Sequence, residues 1–189
     1  MPAQTLTFYV IMLQFTKREL ETIFVHRFSN ATMPLRNLFK NCGHYWILSG
    51  AHLGWFVYTP QNEPRHCPDI MGRAKPIYPG RFTQRVHSSP PTLNAYIHLL
   101  QHSLRPAGTV QRKVPSGLGF AWVTCPNYMF ETLAWLGIWL VSRSWATGLF
   151  IAVAVAQMKL WANKKEARYR REFPGQYVKK RYGVIPGVL

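Results

Sequence analysis

Acidic residues are what this chain has least of. Seven Asp and Glu stand against 23 Lys and Arg, a formal charge of +16 over 189 residues. Between Asp69 and Glu166 the only carboxylate is Glu131. Cysteine is scarce too. Cys42, Cys67 and Cys125 form no paired motif, and three cannot all pair, which argues against a disulfide framework or a cysteine metal site. No two histidines stand at helical ligand spacing with an acid between them. His98 and His102 are four apart but have no evident third ligand, so no metal site is expected. There is no internal repeat, no Gly-rich phosphate loop and no recognised nucleic-acid motif. The apolar start, residues 5–15, is short and lacks a cleavage-site pattern, so it does not read as a cleavable signal peptide.

What is present is blocked. Aromatic and aliphatic residues gather in runs with basic residues at their flanks and Trp and Tyr near their ends, the pattern of a membrane protein. Residues 5–15 are interrupted by Lys17, Arg18, Glu19 and Glu21 and look like the end of a shortened helix. Residues 45–58 can cross a bilayer only if their helix begins upstream, near Leu38. Residues 130–141 and 146–161 read as two membrane helices around Ser142, Arg143 and Ser144. Beyond them, residues 159–181 form a basic tail interleaved with Tyr169, Phe173 and Tyr177, cytosolic by the positive-inside rule. That tail is either a flank touching anionic lipid or a clamp for phosphates. Residues 60–92 carry Pro60, Pro64, Pro68, Pro76, Pro79, Pro90 and Pro91 and show no periodicity. They are expected to be a loop outside the bundle. The expectation is an all-α, multi-helix integral membrane bundle: N-terminal helices over 1–59, a Pro-rich polar loop over 60–92, and a C-terminal core with a basic tail over 93–189.

The stretch from Cys125 to Trp135 carries the chemistry. Asn127, Tyr128 and Glu131 lie where a membrane helix begins, and polar groups there are costly unless they face partners, water or a ligand. Asn127, Glu131 and Trp135 share one helical face, with Tyr128 one position round. These residues are either hydrogen-bonded interface residues or the mouth of a polar pocket in the bundle.

Several motifs carry a resemblance. They are residues 21–42 with Met33, Pro34, Leu35, Arg36, Asn37, Leu38, Phe39 and Lys40; Leu104, Arg105, Pro106, Ala107 and Gly108; residues 112–115; Cys125, Pro126, Asn127, Tyr128 and Glu131; and the tail through Ile185 and Pro186. Together they resemble the very-long-chain trans-2-enoyl-CoA reductases, relatives of the steroid 5-alpha-reductases, over residues 5–60 and 93–189. The resemblance implies a multi-pass enzyme of the endoplasmic reticulum membrane with a cytosolic tail. Such an enzyme uses NADPH to reduce the 2,3 double bond of an enoyl-CoA, the last step of each fatty-acid elongation cycle. It implies acyl-CoA, membrane lipid and other elongase subunits as partners, and no nucleic acid. By the same resemblance Tyr128 and Lys40 match the catalytic positions, without deciding which donates the proton. Asn94, Arg105, Asn127, Glu131 and Tyr169 match cofactor positions. Alternatives are a steroid or polyprenol reductase of the same superfamily, or a non-catalytic fragment that binds elongase partners. The chain departs from the family pattern in three places. It begins later, as if truncated; residues 60–93 replace a membrane helix with a Pro-rich run; and Gln101, His102 and Gln14 stand where Leu, Arg and His are usual.

Overall fold

A computed structural model describes residues 3–26, 34–58, 81–104, 113–180 and 182–187, with backbone alone at 3 and 81–90. The described residues are helical and contain no strand; an isolated parallel bridge joins Val123 to Tyr182.

Helix α1 spans Ala3–Phe24 without a break. The expected interruption at Lys17 to Glu21 does not occur, because Lys17, Arg18 and Glu21 turn toward protein partners instead of ending the helix, while Glu19 is exposed. Thr7, Ile11, Gln14 and Glu21 recur at three- and four-residue spacing and are all buried. Phe8, Met12, Leu13, Leu20, Ile23 and Phe24 are exposed. The polar stripe therefore faces protein and the apolar face looks out.

Pro34, extended at φ −55°, precedes α2, Leu35–Cys42. The backbone stays right-handed helical through Cys42, Gly43 and Gly54. A π-helical stretch, Gly43–Leu53, thus runs straight into α3, Gly54–Tyr58. The upstream start that residues 45–58 needed is found, at Leu35. Phe39, Trp46, Ile47 and Trp55 are exposed along this rod, while Leu53 and Val57 are buried.

Helix α4, Arg81–Ser103, overturns part of the loop expectation, since residues 81–92 are helical with Pro90 and Pro91 inside. Residues 60–80 lie outside the described residues. Two prolines remove two backbone donors, a cost that tertiary packing can outweigh. Here the packing comes from the C-terminal half of α4, where buried Asn94, Ile97 and His98 form one face against the next helix.

Helix α5, Pro126–Ser142, is the central helix, with Pro126 in its first turn and buried residues along its length from Asn127 to Ile138. It ends at Arg143, whose left-handed backbone (φ 48°) lets its N–H return to the Trp139 carbonyl at 2.8 Å. Helix α6, Trp145–Glu172, follows at once. Contacts descend α5 as they climb α6. Trp139 lies against Gly148, Trp135 against Phe150 (ring centroids 4.5 Å) and Tyr128 against Trp161. The pair is therefore antiparallel, as expected. α6 is long and apolar enough to cross a membrane, and it continues as helix into the basic tail.

The tail does not simply leave the molecule. The Thr124 and Cys125 N–H groups donate to the Tyr182 and Gly183 carbonyls at 3.1 and 3.0 Å. Val184 is fully buried against Cys125 and Ala162. Burial pushes the Cys125 thiol up to about 11. The loop ahead of α5 closes tightly on it: Gly119 has φ +80°, and a Cβ there would lie 2.6 Å from the Pro126 ring.

Candidate functional site

At one end of the bundle, polar groups from α1, α4 and α5 interlock. The Lys17 ammonium donates to Asn94 Oδ1 at 2.6 Å and pairs with Glu21 at 2.9 Å. Asn94 is fully buried and donates from Nδ2 to the Asn127 carbonyl at 2.7 Å. Gln101 Nε2 donates to Asn127 Oδ1 at 2.9 Å. One helix turn along α5, Glu131 Oε1 accepts from Gln14 at 2.9 Å and from the Trp135 indole at 3.3 Å. Its other oxygen is buried without a hydrogen bond, 4.0 Å from the Arg18 guanidinium. A buried carboxylate is stable only with such partners.

A second chain of hydrogen bonds leads outward. Arg18 Nη1 lies 3.3 Å from His98 Nε2, and His98 Nδ1 lies 3.1 Å from His26 Nε2. Arginine can only donate, so His98 Nε2 accepts and its Nδ1–H donates to His26. Burial, then the nearby Arg18 charge, holds the His26 imidazole below its ordinary value. His26 is therefore neutral near pH 7, in keeping with its accepting role.

These groups form one wall of a cavity of about 430 Å³. Arg18, Lys113 and Lys165 bring cations to its lining; Gln101 and Asn127 bring amides; Tyr128 and Tyr169 bring phenols; His26, His98 and His102 bring imidazoles. Among the described residues no carboxylate lines it. The Lys165 ammonium sits over the Tyr128 ring, 4.9 Å from its centroid. The Tyr128 hydroxyl makes no hydrogen bond among the described residues. Tyr169 is buried, its ring 5.4 Å from that of Tyr177, whose hydroxyl donates to Glu166 at 2.6 Å. Thr124 donates to the same Glu166 oxygen at 2.6 Å, tying the tail to the start of α5.

Of the residues singled out in the sequence, Asn127, Tyr128 and Tyr169 line the cavity. Asn94 and Glu131 stand just behind it, touching Asn127 and facing Arg18 respectively. Arg105 lies outside the described residues. Lys40 is exposed on α2 and is not among the described residues that line the cavity with Tyr128. The cations near Tyr128 are Lys165 and Arg18 instead. Sequence reasoning missed both, along with Lys17, Gln101 and the structural part played by Gln14. A signal existed: Gln14, Arg18 and Glu21 share one face once α1 is read as unbroken, and Trp161, Lys165 and Tyr169 share one face of α6.

The profile of the 3-oxo-5-alpha-steroid 4-dehydrogenase family matches residues 31–189. A Schizosaccharomyces pombe protein named "Putative enoyl reductase" is 45% identical over 98% of this chain and 60% of its own length. The Dictyostelium discoideum very-long-chain enoyl-CoA reductase is 39% identical over 99% of this chain and 59% of its own. The mouse trans-2,3-enoyl-CoA reductase-like protein is 29% identical over the whole of this chain and 51% of its own. The chain thus spans about half to three-fifths of the length of the curated relatives it matches. With most of its residues under one family profile, the chain belongs to the 3-oxo-5-alpha-steroid 4-dehydrogenase family, and it resembles the enoyl-CoA reductases within that family.

Proposed function

We propose that this chain carries the reducing site for the 2,3 double bond of a very-long-chain trans-2-enoyl-CoA, with NADPH as reductant, in the last step of fatty-acid elongation. The observation that carries this reading is the Tyr128 hydroxyl in a cavity where, among the described residues, it makes no hydrogen bond and the lining brings Arg18, Lys113 and Lys165 but no carboxylate.

The donor set fits a phosphorylated dinucleotide. Arg18, Lys113 and Lys165 suit its phosphates by charge and hydrogen bonding, and Gln101, Asn127 and Tyr169 offer polar contacts to the remainder. When bound, the nicotinamide supplies the hydride that the substrate β-carbon accepts. Negative charge then develops on the thioester oxygen, and Tyr128 donates a hydrogen bond toward it. The Tyr128 Oη–H proton passes to the α-carbon, completing the saturated thioester. Burial pushes the Tyr128 phenol up, which keeps it protonated as the donor, and Arg18 favours the phenolate that remains until it takes a proton from water. Asn94, Asn127 and Glu131 hold this wall in place through Lys17, Gln101 and Arg18.

The membrane reading rests on the apolar exterior. Large apolar side chains are exposed on every helix from α1 to α6, while the interior combines an apolar core with buried Thr7, Gln14, Asn94, His98, Asn127, Thr132 and Thr147. Apolar groups facing out and polar groups kept to partners inside suit a lipid solvent. The basic end of α6 would lie on the cytosolic side of the endoplasmic reticulum. There it would meet acyl-CoA, NADPH, anionic lipid and other elongase subunits.

The test uses microsomes carrying this chain, supplied with NADPH and either a very-long-chain trans-2-enoyl-CoA or a 3-oxo-4-ene steroid. Saturated acyl-CoA should appear mole for mole with NADPH consumed. Turnover of the steroid alone, or of neither substrate, would reject the enoyl-CoA reading.

A further inference from the structure

The proposed reaction brings two polyanions together, a phosphorylated dinucleotide and the nucleotide end of coenzyme A. Their reacting ends must meet at Tyr128, but their phosphates repel one another and need separate cations. A second cation-lined concavity lies among the described residues. Also of about 430 Å³, it is lined by Trp122, Val178, Lys179, Lys180, Tyr182 and neighbouring residues, and it shares no residue with the Tyr128 cavity. No carboxylate lines it, and neither lysine is paired with an acid among the described residues. Trp122 is 58% exposed. The strap that carries the two lysines is fastened at both ends. Tyr177 is bonded to Glu166 on one side, and the Tyr182 and Gly183 carbonyls are bonded to the Thr124 and Cys125 N–H groups on the other. The backbone on both sides of the lysines is thus tethered before any ligand arrives, which lowers the ordering cost of binding. The same backbone joint leads within a few residues to Asn127 and Tyr128, so the chain runs from one concavity to the other at the start of α5.

We infer that the groove between Trp122 and Lys179–Lys180 holds the 3′-phosphoadenosine end of the acyl-CoA substrate. The lysines meet its phosphates and the indole offers a face for the adenine. This assignment rests on the enoyl-CoA reading above. The first cavity keeps Arg18, Lys113 and Lys165 for the dinucleotide.

The experiment measures binding of two fragments to the whole chain in phosphatidylcholine nanodiscs by calorimetry. Adenosine 3′,5′-bisphosphate represents the coenzyme A end, and adenosine 2′,5′-bisphosphate the cofactor end. The double variant Lys179→Ala/Lys180→Ala should weaken the 3′,5′ isomer at least about tenfold. Binding of the 2′,5′ isomer should move by less than about twofold, which also shows that the variant is folded. Trp122→Ala should weaken the 3′,5′ isomer alone as well. Equal loss for both isomers would mean one shared nucleotide site and would overturn the assignment. So would unchanged 3′,5′ binding, or no such binding by the parent chain. A variant altered only in its affinity for phosphatidylserine vesicles would make the groove a lipid contact and overturn it equally. If the lysines govern 3′,5′ binding but the parent chain reduces no enoyl-CoA, the groove stands and the reaction assigned above fails.

Discussion

Tyr128 is where the residue scale decides most. Tyr128→Phe keeps the ring that packs near Trp161 and under Lys165 and removes only the hydroxyl. If that hydroxyl serves the developing enolate, kcat should fall about 100- to 1000-fold while the KM for NADPH stays nearly constant. Steady-state kinetics with very-long-chain enoyl-CoA would show it, and full activity would remove Tyr128 from the mechanism. Lys40 and Lys165 invite a direct comparison, since one is exposed on α2 and the other lies in the cavity wall. Lys165→Gln should raise the KM for NADPH about tenfold, whereas Lys40→Gln should change neither kinetic constant by more than about threefold. The reverse pattern would restore the assignment drawn from resemblance. Glu131→Gln keeps an acceptor for Gln14 and Trp135 but removes the charge facing Arg18. Arg18 should then hold its place less firmly, and cofactor affinity should drop several-fold with little loss of rate at saturation.

At the scale of elements, the returning tail is the feature with the clearest consequence. Val184 covers Cys125, whose thiol is buried and raised to about 11, so little thiolate exists at neutral pH. In a background with Cys42 and Cys67 replaced by Ser, maleimide labelling of Cys125 should run more than about 100-fold slower than for a free thiol. Val184→Asp puts a charge into that contact and should release the segment, making labelling fast. Fast labelling of the parent protein would contradict the packing. The loop before α5 offers a stability test. Gly119→Ala meets both a left-handed backbone and a Cβ placed 2.6 Å from Pro126, and should cost about 1–3 kcal/mol, read as a lower Tm in detergent. The α5–α6 hairpin was legible from its two apolar runs and the polar turn at Arg143. The helix over 81–92 was not, because its sequence lacks a repeating face; the reason α4 forms lies in the Asn94, Ile97 and His98 contacts further along.

For the whole molecule, charge and lipid set the behaviour. The cation-lined concavities beside Tyr128 and Trp122, on a chain of +16, should draw in polyanions, so the KM values for NADPH and enoyl-CoA should both rise when salt goes from about 50 to 300 mM. Salt-independent KM values would mean that those cations do not meet the substrates. A molecule with large apolar side chains exposed on every helix should also stay in the pellet after alkaline carbonate extraction of microsomes.

The sequence by itself determined the class of the molecule. Its blocked apolar runs, basic flanks and single central carboxylate pointed to a helical bundle, features that are local and that hydropathy and helical spacing read directly. Its resemblance to the reductases singled out Tyr128, Lys40, Asn94, Arg105, Asn127, Glu131 and Tyr169, of which Asn127, Tyr128 and Tyr169 line one cavity. Tertiary structure alone decided the rest. Lys17, Arg18 and Glu21 looked like a helix-ending cluster, yet they are inward groups because α4 and α5 present Asn94, His98 and Glu131 to receive them. Lys165 looked like one lysine among many, and only the crossing of α6 over α5 sets it above Tyr128. Buried charge is tolerated where partners from distant parts of the chain meet it, and those partners are not written at neighbouring positions.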